Sequence, residues 1–216
     1  AALVVVGLRR GGRLRAVVAV RGEHRSSDGR TFAPYVLRFE ILAGRRDLRL
    51  THSVIYDGDP ERDFVRASEL RLRARVGKAA LFAFGADVGR ETRFPRQRAP
   101  VWTPDFRHAE LYQDSVTHWR LRRWVDLNRR EVFCREGIVA DGWMELAGAG
   151  ARVAVAVREF AQNHPKALSA DAATGEMRVG LYPARADRLD LRRYSDFVYP
   201  QMYEAPAYTS RKPIPF

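Results

Sequence analysis

Hydrophobic and polar residues alternate with a period of two along most of the chain, which is typical of β-strands with one buried face. In residues 152–160, for example, Val153, Val155 and Val157 share one face, and Arg158 lies on the other. Glycine and proline repeatedly mark the ends of such segments. The same pattern predicts further strands at residues 3–8, 14–21, 32–42, 48–56, 69–76, 118–126, 131–135, 142–146 and 176–181.

Helical periodicity is confined to two short segments, residues 59–67 and 160–168. Residues 90–107 are rich in arginine and proline and predict an irregular surface excursion. Many strands with few helical segments predict an all-β fold, an antiparallel β-sandwich of two packed sheets with a few short helices. No fixed-period repeat is present, which excludes a solenoid or a propeller.

The amino-acid composition indicates a buried hydrophobic core and a positive net charge. The chain has 216 residues, 46% of them hydrophobic, so a sizeable core forms and disorder is excluded. Lysine and arginine total 38 against 26 acidic residues, a formal net charge of +12. Only Lys78, Lys166 and Lys212 are lysines. Because the arginine fork binds carboxylates and phosphates in a bidentate way, this charge favours an anionic partner.

Several classes of site are excluded by the residues that are present. Cys134 is the single cysteine, which leaves no intrachain disulfide and no CxxC metal site. The aspartates of DGDPERD lack the glutamate that closes a calcium loop, so this segment predicts a turn. A strand, not a helix, follows AGAGARV, which excludes a dinucleotide site there. We therefore expect no metal and no cofactor.

The sequence also argues against nucleic acid and membranes as binding partners. The arginines are scattered over the chain instead of forming one basic stripe, and no RNP-like or helix-turn-helix pattern occurs. The apolar runs are too short to span a bilayer. We expect neither nucleic acid nor a membrane as a partner.

The first candidate site is the polar cluster QNHPK, which follows the strand at residues 152–160. Gln162, Asn163, His164 and Lys166 lie within five positions, and Pro165 stiffens the turn. Two amides, an imidazole and an amine at the end of a strand suit a polyanion-handling surface. The alternative is a polar surface loop that only caps the strand.

The second candidate site is the segment HWRLRRW. In a strand, His118, Arg120 and Arg122 share one face with Trp124, and Trp119 lies on the other. Guanidinium groups and an indole on a strand would bind an acidic sugar through its carboxylates and its ring. The alternative is that the arginines pair with nearby acidic residues. Just upstream, Tyr112 adds a phenol, and Asp114 adds a carboxylate with the alternative role of pairing with an arginine.

A set of segments, in order, resembles the exo-rhamnogalacturonan lyase family, which groups fungal exo-acting pectin lyases with bacterial YetA-like proteins. The segments are PYVLRFEILAGRRDLRLTHSVIYDGDPERDFVR, LYQDSVTHWRLRRWVD, DGWMEL, VAVAVREFAQNHPKAL and RVGLYP. The resemblance runs from about Leu14 to Tyr203. It implies three domains, an N-terminal barrel, a central β-sandwich and a C-terminal α/α toroid. Residues 1–216 would form a single domain, the central β-sandwich of a longer protein, with the other two as partners in the same chain.

The resemblance also implies a reaction, β-elimination at a galacturonate next to rhamnose in pectin. Such a step needs donors on the sugar carboxylate, a base near C5 and an acid for the leaving oxygen. We expect the isolated fragment to be inactive, and a non-catalytic carbohydrate-binding or structural module is the alternative function. The candidates for the catalytic groups are Tyr112, His118, His164 and Lys166, and those for substrate binding are Trp119, Arg120, Arg122, Gln162 and Asn163.

Overall fold

The structure is a computed structural model, and it describes residues 5–11, 13–77, 81–86, 99–101, 108–124, 131–171 and 173–189. These residues form fourteen strands and no helix, and every strand pair is antiparallel, which confirms the predicted all-β fold. The strands are β1 Val5–Gly11, β2 Arg15–Arg25, β3 Thr31–Leu42, β4 Leu48–Val54, β5 Ser68–Arg73, β6 Leu81–Ala86, β7 Ala99–Val101, β8 His108–Ser115, β9 His118–Trp124, β10 Glu131–Gly137, β11 Ala140–Ala147, β12 Arg152–Ala156, β13 Lys166–Asp171 and β14 Glu176–Tyr182.

The first of two compact units comprises Ala1–Asp63. Its sheet has the order β1-β2-β3-β4, so each strand pairs with the next along the chain. Val18, Phe39 and Leu50 lie side by side on three neighbouring strands, as expected from the alternation of apolar residues in each of them.

The second compact unit, Phe64–Phe216, contains two sheets. The six-stranded sheet has the order β10-β9-β8-β13-β14-β5, and the four-stranded sheet has the order β12-β11-β6-β7. Their inward side chains form one buried core, which makes this unit an antiparallel β-sandwich. The prediction of a single domain within a longer protein remains a prediction. The fully buried core residues include Leu111, Leu121, Leu168 and Met177 of the larger sheet and Phe84, Met144 and Leu146 of the smaller.

Both helix predictions are wrong. In residues 59–67, the Asp59 carbonyl accepts hydrogen bonds from the N–H groups of Arg62 and Asp63, at 3.0 and 2.7 Å, in a turn that does not continue. Residues 160–168 form a turn and then enter β13 at Lys166. Because four consecutive β13 residues, 167–170, are buried, this strand shows no alternation of polarity.

Three further strands were missed, and three were predicted too long, since β4 ends at Val54 and β5 at Arg73, before the predicted ends at residues 56 and 76. β6, β7 and β8 were not predicted, and β7 lies inside the segment expected to be irregular. The predicted strand at residues 152–160 ends at Ala156, and the following residues form a turn in which Glu159 has a φ of 52°. Within the described part of the chain, no helix is long and apolar enough to cross a membrane.

Candidate functional site

The outward face of β8 and β9, two neighbouring strands of the six-stranded sheet, carries the candidate site. The two strands form a hairpin in which Tyr112 lies opposite Arg120. Along β9, Trp119 and Leu121 are buried whereas His118 and Arg120 are partly exposed. This alternation confirms the predicted division of the strand, with His118, Arg120 and Arg122 on one face.

His118 lies at the centre of a cluster of charged groups. Its Nδ1 is 2.7 and 2.8 Å from the two carboxylate oxygens of Asp114, across the turn of the hairpin. On the other side of the ring, the Arg120 Nε–H donates to Nε2 at 3.4 Å. Glu136 Oε2 is 3.5 Å from the same Nε2, because β10 pairs with β9 and places Glu136 opposite Arg120. Asp114 therefore contacts the imidazole, and its expected arginine partner is replaced by a histidine.

Tyr112 lies beside this cluster, half-buried on the same face. Burial, the larger cause, and the Asp114 carboxylate together raise the pKa of its phenol to about 12. The Arg185 guanidinium lies 5.3 Å from the centre of the Tyr112 ring and donates to Glu110 Oε1 at 2.7 Å. A phenol with this pKa holds its proton at neutral pH.

Arg122 lies one position further along the same face of β9. Its register partner on β8 is Glu110, whose carboxylate contacts Arg185. The outward face thus continues from His118 to Arg122 as a row of polar groups, and acidic residues of neighbouring strands lie beside it.

Trp119 is corrected from a substrate-binding residue to a core residue. Its side chain is 0% exposed and packs between the two sheets. It lies opposite Gly137, where a Cβ atom would come within 2.7 Å of the indole Nε1. The indole therefore fills the space above a glycine inside the sandwich, out of reach of a sugar on the outward face.

The QNHPK segment forms a turn stabilised largely by its own backbone. The Asn163 N–H donates to the Glu159 carbonyl at 2.9 Å, and its Nδ2 lies 3.4 Å from Glu159 Oε2. His164 Nδ1 is 3.3 Å from the Ala161 carbonyl. Gln162 and Asn163 are exposed. These contacts agree with the alternative in which the turn caps a strand.

Lys166, at the start of β13, points away from the cluster on β9. It is the register partner of Gln113, and Gln113 is the partner of Trp119, so all three belong to the core-facing side of the sheet. The Lys166 Nζ donates to the Leu181 carbonyl at 2.7 Å, and burial lowers the pKa of this amine. Lys166 and Arg120 therefore lie on opposite faces of this sheet.

The sequence placed the Asp114 carboxylate near the candidate site, with pairing to an arginine as its alternative role, but did not predict its contact with His118. Glu136 and Arg185 were not predicted as part of the site. Their roles depend on strand pairing and on a contact between Arg185 and Glu110, which are 75 positions apart. A detectable signal was the spacing of Asp114 and His118, four residues apart around a hairpin turn. Among the described residues, no group of three or more histidines, cysteines or acidic residues is arranged to hold a metal ion.

Comparison with known proteins gives the family. Residues 3–82 and 88–209 match the family model described as the PcRGLX-like protein central beta sandwich domain. The chain is also 23% identical over 228 residues to the uncharacterized protein YetA of Bacillus subtilis (strain 168), in an alignment that covers 87% of this chain and 26% of YetA. It thus spans about a quarter of the length of that relative. Because the match covers most of its length, the chain belongs to the family of PcRGLX-like central β-sandwich domains.

Proposed function

We propose that this chain is the central β-sandwich of a polysaccharide lyase-like protein that cleaves rhamnogalacturonan, the backbone of pectin, by β-elimination. The main support for this proposal is the Asp114–His118–Arg120 cluster, which lies beside Tyr112 on the outward face of the sheet. The reaction class is the one implied by the resemblance to exo-rhamnogalacturonan lyases, and membership of the PcRGLX-like central β-sandwich family supports it. The face supplies groups that this reaction requires.

β-Elimination removes the proton on C5 of a galacturonate and breaks the C4–O bond. The electrons of the C5–H bond form the C4=C5 double bond, and the leaving oxygen takes a proton. The carboxylate on C5 acidifies the proton, and cationic donors on that carboxylate stabilise the enolate-like intermediate. Arg120 and Arg122 lie on the face where such a carboxylate would bind.

The proton transfers are assigned to His118 and Tyr112. An imidazole is the side chain best suited to accept a proton near neutral pH. The Tyr112 phenol, whose pKa is raised to about 12 by burial, keeps its proton and is suited to donate it to the leaving oxygen. The pair His118 and Tyr112 is favoured because His164 Nδ1 contacts the Ala161 carbonyl, and because Lys166 lies on the other face of the sheet and donates to the Leu181 carbonyl.

The charge of the chain suits the proposed substrate. A net charge of +12, almost all of it from arginine, attracts a polymer of uronates over longer distances than the contacts themselves. The activity belongs to a longer parent protein in this proposal, because the chain spans about a quarter of YetA. The N-terminal barrel and the C-terminal toroid of the parent would complete the substrate cleft.

The test is to incubate the full-length parent with rhamnogalacturonan and to follow the absorbance of the unsaturated product. His118→Gln and Tyr112→Phe should each lower kcat by about 10²–10⁴-fold. The product formation of Arg120→Gln is compared with that of Arg71→Gln. Arg71 is the matched control, because it is an exposed arginine on the edge strand β5 of the same sheet. Absence of product from rhamnogalacturonan and from other uronate polymers would refute the lyase proposal.

The second candidate is a non-catalytic carbohydrate-binding or structural module. It is favoured by the pairing of charged groups on the outward face, where Glu110 already binds Arg185 and Asp114 binds His118. Under this alternative, the parent binds oligogalacturonides without forming product, and His118→Gln weakens that binding only slightly.

A further inference from the structure

We propose that Asp114 is a positioning residue that holds His118 as the Nδ1–H tautomer, and that Arg120 covers the Nε2 atom until a ligand carboxylate draws its guanidinium away. The role of His118 as a base rests on the proposed function. The tautomer and the response to a carboxylate do not, and they are tested separately from it.

The first step concerns the Asp114 side of the ring. An ionised carboxylate only accepts hydrogen bonds, so the imidazole nitrogen that faces it carries the proton. Both Asp114 oxygens lie within 2.8 Å of His118 Nδ1, and both side chains are about 70% buried, with 29% and 30% of their surface exposed. A contact this short and this sheltered fixes the orientation of the ring as well as its tautomer.

The second step concerns the other side of the ring. A guanidinium only donates hydrogen bonds, so the Nε2 atom that receives the Arg120 Nε–H at 3.4 Å presents its lone pair. Two neighbours on opposite sides of the ring thus require the same tautomer. Glu136 Oε2, 3.5 Å from Nε2, becomes a favourable partner only when Nε2 has gained a proton. The neighbours of His118 at Nδ1 and at Nε2 therefore both favour the Nδ1–H tautomer of the neutral ring.

The third step links Arg120 to the choice of ligand. At 3.4 Å, its bond to a neutral nitrogen is long, whereas a carboxylate offers a shorter, charge-assisted and bidentate partner. Binding of a uronate carboxylate would move the guanidinium and expose the lone pair of Nε2. A neutral sugar provides no such partner, so it would leave Nε2 covered. Arg120 would then make proton acceptance conditional on an acidic sugar.

The proton transfers of the step balance between these side chains, the substrate and water. His118 Nε2 takes the C5 proton, and the Tyr112 phenol gives its proton to the leaving oxygen. The imidazolium, between Asp114 and Glu136, then releases its proton to water, and the phenolate takes one from water. No oxidant, metal or further reactant enters the reaction.

The tautomer is measured by ¹⁵N NMR of the histidine rings in the 216-residue chain. Five histidines are present, and His118→Gln identifies the His118 signals. We expect a protonated Nδ1 and an unprotonated Nε2 in the wild type. Asp114→Ala should convert the ring to the Nε2–H tautomer, and Asp114→Glu should restore the wild-type signals. Asp141→Ala, at an exposed aspartate of β11, is the matched control and should change nothing.

An Nε2–H ring in the wild type, or a tautomer unaffected by Asp114→Ala, would overturn the role of Asp114. Circular dichroism checks that each variant is folded, and Asp114→Asn, of nearly the same size, replaces Asp114→Ala if the latter does not fold. The Arg120 role is tested by adding galacturonate or galactose. Galacturonate alone should shift the Nε2 signal, and Arg120→Gln should abolish that shift. An equal shift of the Nε2 signal with galacturonate and with galactose would contradict the proposed role of Arg120.

Kinetics of the full-length parent separate this inference from the proposed function. Asp114→Ala should lower kcat by about 10²–10⁴-fold with a smaller change in KM, and Asp114→Glu should recover part of the rate. A parent that forms no product, together with the expected NMR result, refutes the lyase proposal and leaves the positioning role intact. A parent that forms product, together with an Nε2–H ring at His118, supports the lyase proposal and refutes the positioning role of Asp114.

Discussion

The side-chain Oε1 of Gln113 accepts a hydrogen bond from the backbone N–H of Ala140 at 2.9 Å. Its Nε2 donates to the carbonyls of Ser115 and Ile138, at 2.7 and 3.0 Å. Gln113 is 0% exposed, and it connects the β8–β9 hairpin to the chain that passes from β10 in the larger sheet to β11 in the smaller. One buried amide therefore holds both sheets together directly behind Tyr112 and Asp114.

We predict that Gln113→Leu lowers the free energy of unfolding by about 2 kcal/mol or more. The substitution leaves the buried Ala140 N–H, and the part-buried carbonyls of Ser115 and Ile138, without their side-chain partner, and loss of a buried partner costs about 1–3 kcal/mol. Urea denaturation followed by fluorescence provides the measurement. Gln162→Leu, at an exposed glutamine, is the matched control and should change stability by less than about 0.5 kcal/mol. Equal effects of the two substitutions would contradict the bridging role.

The core position of Trp119 leads to a second prediction. Trp119→Ala should destabilise the chain by about 3–5 kcal/mol, because a large buried side chain is replaced by a cavity. Trp119→Phe, which keeps an aromatic ring in the core, should fold and should bind oligogalacturonides as the wild type does. Denaturation and calorimetric titration measure the two effects. A folded Trp119→Phe variant with much weaker sugar binding would show that Trp119 takes part in substrate binding.

Local alternation was enough to predict the strands that have one buried and one exposed face. It predicted β9 and β11, in which buried residues alternate with more exposed ones, and the division of β9 into two faces. It failed for β13, where buried residues on both faces remove the alternation. It also failed for β8, where Gln113 places a polar residue at a core position and interrupts the apolar series.

The candidate site was predictable only as far as it depends on single strands. The common face of His118 and Arg120 follows from their spacing. The contact of Glu136 with His118 depends on the register between β9 and β10, which contains a bulge. The contact of Arg185 with Glu110 depends on the path of a turn that is distant in sequence. Register and tertiary path are decided by packing over the whole sheet, and no short sequence pattern encodes them.

A third prediction compares two glycines that both have positive φ angles. Gly175 has a φ of +67°, and a Cβ atom there would lie 2.2 Å from the Ala74 carbonyl oxygen. Gly29 has a φ of +90°, and nothing lies within 4 Å of its Cβ position. Gly29→Ala should cost about 1–2 kcal/mol from backbone strain alone. Gly175→Ala should cost about 1–3 kcal/mol more, because the backbone must also move to relieve the overlap. Thermal or urea unfolding measures both, and similar losses would show that the turn at Gly175 relaxes freely.

The last prediction concerns the titration of Tyr112. Its pKa is raised from 10.0 to about 12, first by burial and then by the Asp114 carboxylate, and Arg185 opposes the shift. The difference in phenolate absorbance between the wild type and Tyr112→Phe should therefore have a midpoint near pH 12 in the folded chain. The same difference measured in urea should return to the ordinary value for tyrosine, about 10.

The sign of the effect on stability follows from the same shift. Between pH 10.0 and about 12, the unfolded chain ionises this phenol and the folded chain does not, so the stability that Tyr112 contributes is present below pH 10.0 and is lost as the pH rises through about 12. Tyr112→Phe should remove this part of the pH dependence, which urea denaturation at several pH values would detect. A folded-state midpoint near 10 would mean that the phenol is solvated and would remove the reason for assigning it the role of proton donor.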